Sequence, residues 1–217
     1  MEVMTHEQRL RFITGLDLGQ SRDFTALAVL ERTLTPNPFP DNEDETVSHY
    51  AVRHLERKPL GTSYTAVCDD LGKLFSKPPL TGTMLAVDET GVGRPVIDLL
   101  EGNRIQADLR PITITGGHEA HQGDGLGWKV PKKCLVSTLQ VLLQGRRLTV
   151  ARGLPFAAAL VEELQNFQVK VTEAANETFG ALGDGYHDDL VLAIMIAAWA
   201  GEHAPVGRLE IHFGPAA

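Results

Sequence analysis

The hydrophobic patterning of the chain predicts an α/β fold: a mixed central sheet, built from an antiparallel three-strand meander plus parallel strands, flanked by helices. Three observations carry this. Three strand-like stretches precede the first helical spacing, with turn-forming residues between them. From residue 64 onward, helical and strand-like stretches alternate, as crossover-connected parallel strands require. Finally, two apolar strands end in a carboxylate, Asp17 and Asp88, and a third acidic stretch, Asp188-Asp189, opens the longest apolar run.

Taken in order, residues 1–10 are polar and read as a flexible N-terminal segment, with the domain expected over 11–203 and a C-terminal tail over 204–217. Residues 12–19 and 24–31 are strands, and Gln20-Ser21-Arg22-Asp23 is a turn by composition, so the pair reads as an antiparallel hairpin. Asp17 lies in an apolar strand between Gly15 and Gly19, which remove bulk where something approaches closely. A carboxylate there costs several kcal/mol, on the order of 2–7, unless it is paired or metal-bound. Residues 35–46 are charged and Pro-rich and form a surface loop. Residues 48–56 alternate as the third strand, and Arg57-Lys58 reads as a solvated edge.

Val67, Leu71, Leu74 and Phe75 recur at helical spacing, with Thr62 or Ser63 as the cap. A short buried strand over 83–88 then leads through Glu89-Thr90-Gly91-Val92-Gly93-Arg94-Pro95 into a helix over 96–100. Strand, acid, Gly-rich turn and helix put Asp88 at a carboxyl end, where open α/β sheets bind ligands, with Glu89 as its possible substitute. No GxxxxGK[ST] occurs, so a phosphate loop is not indicated.

Residues 109–115 form a further strand. The loop after it carries His118, Glu119, His121 and Asp124, but its glycines read as a mobile loop rather than a zinc site. A helix over 135–143 follows, then another over 156–167 and a strand over 167–173. Lys129, Lys132, Lys133, Arg146, Arg147 and Arg152 gather cations around Trp128, which suits contact with a nucleic-acid backbone. The apolar run 190–200 is too short to cross a bilayer, which needs roughly 20 residues, and reads as a core helix. Asp188 and Asp189 fall in its first turn. One carboxylate suffices to cap a helix; a second invites a cation.

The 217 residues, 43% hydrophobic, make one large domain or two small ones. With no signal peptide and no membrane-length run, the chain is expected to be soluble and cytoplasmic. Cys68 and Cys134 read as structural thiols. A net charge of −8 weighs against nucleic-acid binding, but the charge is unevenly spread.

With acids on the first strand, the fourth strand and the last helix, the element order is that of an RNase H-like nuclease. Four motifs sharpen this: Asp17-Leu18-Gly19 followed by Asp23-Phe24-Thr25-Ala26; Val87-Asp88-Glu89-Thr90-Gly91-Val92-Gly93; Gly127-Trp128-Lys129-Val130-Pro131-Lys132; and His187-Asp188-Asp189-Leu190. Together, over nearly the whole chain, they resemble the nuclease domain of a tailed-bacteriophage large terminase subunit. The resemblance implies an endonuclease cutting concatemeric double-stranded viral DNA during genome packaging, in host cytoplasm. It carries the family's active-site acids onto Asp17, Asp88, Asp188 and Asp189, with two Mg²⁺ or Mn²⁺ ions as cofactors. Lys129, Lys132, Lys133, Arg146 and Arg147 would contact DNA. A packaging ATPase domain, the portal and the small terminase subunit are the implied partners, although the chain has no P-loop of its own.

Two-ion phosphodiester hydrolysis asks for such carboxylates, since hard cations prefer oxygen ligands. In this reading Asp17 bridges the ions, Asp88 holds one, and Asp189 holds the other with Asp188 as the weaker ligand. The same element order serves Holliday-junction resolvases and transposases, and a non-catalytic module docking DNA or a portal would also keep it. Gly15-Leu16-Asp17-Leu18-Gly19 resembles the phosphate hairpin of actin-like kinases, but 217 residues are too few for their duplicated domain.

Overall fold

A computed structural model describes residues 11–19, 23–39, 45–91, 94–103, 105–123, 125, 127–171, 177–181 and 187–204, with 168–171 and 177–181 described by backbone alone. The expectations for residues 1–10, for the tail beyond Ala204, for Val92 and Gly93, for Asp124 and for the Gly-rich turn at 183–186 lie outside the described residues.

β1 (Phe12–Asp17), β2 (Ala26–Pro36) and β3 (Thr46–Arg57) form the expected meander. β2 and β3 run further than the sequence suggests, because pairing from Leu34 with Ser48 to Pro36 with Thr46 takes in part of the Pro-rich stretch. β4 (Met84–Asp88), β5 (Asp108–Thr115) and β7 (Trp128–Pro131) continue the sheet in parallel from β1. β7 was not read from the sequence, and neither were two edge strands: β6 (His121–Gln122), antiparallel to β7, and β8 (Leu148–Val150), parallel to β3. The order across the sheet is β6-β7-β5-β4-β1-β2-β3-β8. A separate hairpin, β9 (Phe167–Val171) and β10 (Glu177–Ala181), stands apart from it.

Among the described residues there are five helices. α1 (Tyr64–Phe75) and α2 (Arg94–Gly102) cover one face of the sheet, closing a core of Leu16, Leu27, Val67, Leu71, Phe75, Leu85, Val87 and Ile97. Ser63 starts α1, its side chain accepting the Ala66 N–H at 3.2 Å. α3 (Lys132–Gln144), α4 (Ala157–Asn166) and α5 (Asp189–His203) cover the other face, over Ile13, Tyr50, Val52, Ala86, Ile112 and Val130. α5 is buried along almost all its length, as its unbroken apolar composition demands. No described helix is long and apolar enough to cross a membrane.

Strand alternation decides which face each acid meets. Ile13 and Gly15 face α5, so Asp17, two residues on, shares that face. In β4, Met84 and Ala86 belong to the same core, and Asp88 follows in phase.

Candidate metal centre

Asp17 and Asp88 close neighbouring parallel strands. The register pairs Leu16 with Val87, so the two aspartates are the next residues on each strand, side by side at the carboxyl ends. The third acidic stretch reaches them because β1 lets α5 come close. A Cβ built on Gly15 would lie 1.9 Å from the Ala193 carbonyl oxygen, a position only glycine leaves open. The bulk missing at Gly15 therefore admits a helix of the protein itself. At Gly19 a Cβ would lie 2.3 Å from the Asp23 carbonyl oxygen, so there the close approach is to the backbone of Asp23 and Phe24.

Asp188 stands at the N-cap of α5 and Asp189 at its first helical position, yet the Asp188 side chain makes no capping hydrogen bond. Glu163 of α4 does that work instead, its Oε2 accepting the Val191 N–H at 3.0 Å. Both aspartate carboxylates are thus spared from capping. Asp188 is half-exposed and lies 3.6 Å from Lys132 Nζ, while Asp189 and Asp88 are buried.

The acids act on one another. Burial pushes the Asp17 carboxyl well above the usual aspartate range, and Asp88, Asp189 and Asp188 add to the rise, with Lys132 opposing it. Burial also raises Asp88, against hydrogen bonds from Thr90 and the charge of Lys132. Its Oδ1 accepts the Thr90 N–H at 2.7 Å. Asp189 is pushed up to about 6, chiefly by burial; Arg57 and His187 lower it, and Asp188 and Asp23 raise it. Among the described residues its Oδ2 is buried without a hydrogen-bond partner, 3.6 Å from both Arg57 and His187 Nδ1. Glu89, the possible substitute for Asp88, is engaged elsewhere, accepting the Thr113 hydroxyl at 2.6 Å.

Among the described residues no three His, Cys, Asp or Glu side chains already stand as a cage around one point. The chemistry of the donor set nevertheless fits a divalent cation: mutually repelling carboxylates, one with an orphaned buried oxygen, and no soft ligand beside them. Two cavities, of about 570 and 860 Å³, are lined by none of the four aspartates.

The basic residues do not form one patch. Lys129 on β7 is exposed, and Lys132 and Lys133 begin α3, with Lys133 Nζ 2.7 Å from His118 Nδ1. Arg146 and Arg147 follow the other end of that helix, whose 13 residues span about 20 Å. Arg147 is turned inward, donating to the Ser48 carbonyl at 2.9 Å and to Glu202 at 2.5 Å.

Two residues at the site escape a sequence reading. Arg57 is no solvated edge: its guanidinium is largely buried against Glu163 and beside Asp189, and stacks 4.7 Å over the Phe24 ring. Lys58 is likewise tied down, to Glu56 at 2.6 Å and Asp70 at 2.9 Å. Glu163 sits in an ordinary amphipathic helix, and nothing in its spacing marks it out. The only available signal is a charge at a position that the helical pattern turns toward the core.

No family model and no curated protein matches the chain. Solved structures do. The large terminase nuclease of thermophilic phage G20c superposes at a TM-score of 0.59 and 21% identity, covering 86% of this chain and 80% of that one. The same nuclease with bound magnesium gives 0.60 and 22%, covering 86% and 79%. The large terminase of bacteriophage HK97 gives 0.51 and 16%, covering 88% of this chain but 39% of its own length. The chain therefore has the RNase H-like fold of these terminase nucleases.

Proposed function

We propose that the chain is a metal-dependent endodeoxyribonuclease that cuts concatemeric viral double-stranded DNA during genome packaging. Asp17, Asp88, Asp188 and Asp189 are its metal-binding and catalytic carboxylates. The observation that carries this reading is the convergence of three chain-distant acidic stretches on one end of the sheet, where burial first, and then the charges of Asp88, Asp189 and Asp188, raise the Asp17 carboxyl. A magnesium-bound nuclease among the structures of like fold supports it.

Two divalent ions, Mg²⁺ or Mn²⁺, when bound would activate a water, neutralise the phosphate and stabilise the leaving oxygen. The protein's part is to hold charge in place. Asp17 and Asp88 would hold the ions together with Asp189, which Asp188 would assist. The repulsion that adds to burial in raising the Asp17 proton affinity is what a cation relieves. Lys132, beside Asp188, and Lys129 and Lys133 near it hold the DNA backbone; Arg146 is a more distant contact, and Arg147 joins it only by leaving Glu202. A packaging ATPase, the portal and a small terminase subunit are the partners this reading assigns.

The test is plasmid nicking in Mg²⁺, Mn²⁺, Ca²⁺ or EDTA. Wild type is expected to cut linear duplex with Mn²⁺ or Mg²⁺ and not in EDTA, with Asp17→Asn, Asp88→Asn and Asp189→Asn each at least about 100-fold slower. Wild-type inactivity with every metal would favour a docking module, and a strong preference for branched DNA a resolvase.

A further inference from the structure

We propose that Glu163 is a positioning residue that keeps the Asp189 carboxylate open to a divalent cation, by holding the competing Arg57 guanidinium back from it. This rests on the metal-centre reading above. Arg57 comes from the end of β3, Glu163 from α4 and Asp189 from α5, and all three side chains are largely withdrawn from solvent. One Arg57 nitrogen binds Glu163 Oε1 directly, yet the same nitrogen stops 3.6 Å from Asp189 Oδ2, beyond hydrogen-bond reach.

Glu163 is itself fixed to the helix it serves, through its Oε2 and the Val191 N–H. Phe24 restrains the guanidinium through its ring face, and its edge meets the His187 ring at 4.8 Å. The outcome is unusual for a buried Arg beside a buried Asp. A full pair would satisfy both, whereas here Asp189 Oδ2 and Arg57 Nε are each left without a hydrogen bond among the described residues. Two buried carboxylates around one guanidinium leave a net negative charge, with its free oxygen on Asp189. Without the Glu163 charge, the guanidinium is free to close on Asp189 and neutralise the ligand.

The test is Mn²⁺ titration of the 217-residue chain, followed by loss of the free-ion paramagnetic resonance signal, with melting temperatures in parallel. Glu163→Gln is expected to weaken Mn²⁺ binding about tenfold or more, by letting Arg57 onto Asp189. Adding Arg57→Gln removes the competing cation and should recover most of that loss. Tyr50→Phe cuts the 2.8 Å bond to Glu202 at the far end of α5, and should lower the melting temperature without changing Mn²⁺ affinity. Glu163→Gln binding like wild type, a double variant no tighter than the single one, or an equal loss in Tyr50→Phe would each overturn the proposal. Should Glu163→Gln not fold, the double variant decides, having no buried guanidinium left without Glu163: a loss under about tenfold supports the clamp, and a larger one refutes it. A wild type that binds no Mn²⁺ would remove the metal-centre reading itself, and the clamp with it.

Discussion

A buried carboxylate with an unpartnered oxygen makes Asp189 a charge the fold tolerates at a cost. Its carboxyl is raised from 3.8 to about 6, so between those values the folded chain holds a proton that the unfolded chain has lost. Stability from this group is therefore greatest at the acid end of that window and falls as pH rises through about 6. Asp189→Asn, which cannot ionise, should raise the melting temperature in EDTA at pH 7.5 by the equivalent of about 3 kcal/mol at most. It should also flatten the dependence on pH between 4 and 7. Melts at several pH values check this; a variant less stable than wild type at pH 7.5 would contradict it. The same substitution should abolish cutting, so one residue is expected to trade stability against activity. Asp17 and Asp88 were legible at this scale because a carboxylate ending an apolar strand breaks its pattern. Glu163 and Arg57 were not, because each sits where charge is common and only packing turns it inward.

At the scale of elements, the centre depends on how near α5 lies to β1. Gly15→Ala puts a Cβ 1.9 Å from the Ala193 carbonyl oxygen, backbone that cannot yield as a flexible side chain would. The expected loss is about 3 kcal/mol or more, with cutting impaired beyond what partial unfolding explains, because Asp189 moves with its helix. Denaturation melts and nicking rates on one preparation test it; stability within about 0.5 kcal/mol of wild type would show that the contact gives. Removing the α1 cap with Ser63→Ala, on the opposite face, should cost about 1 kcal/mol and leave cutting unchanged. Most elements could be read from the sequence: the meander by alternation, α1 by its cap and spacing, α5 by its length and apolarity. β7 and β10 were not read as strands, and β6 and β8 could not be. Two or three residues have no periodicity to detect, and both exist because β7 and β3 offer them an edge.

Across the whole molecule, the sheet divides the work. One face and one end carry the acids, while α1 and α2 support β1 and β4 from behind. The basic residues divide too, since α3 separates Lys129, Lys132 and Lys133 from Arg146 and Arg147. Each lysine that contacts phosphate should contribute about one to the slope of log affinity against log salt. Lys129→Gln is expected to reduce that slope by about one, and Arg147→Gln to leave it unchanged while lowering stability through the lost Glu202 and Ser48 contacts. Binding curves at several salt concentrations check both, and a reduced slope for Arg147→Gln would put DNA on the far end of α3. That a linear run of cations splits in space was invisible in sequence, where Lys133 and Arg146 are only a helix apart.

The claim beneath all of this is that Asp17, Asp88 and the Asp188-Asp189 pair serve one cation centre. Anomalous diffraction from crystals of the chain soaked in Mn²⁺ tests it most directly. Two manganese peaks about 4 Å apart, bounded by Asp17, Asp88 and Asp189, are the predicted result. Manganese bound elsewhere, with none at these carboxylates, would contradict it.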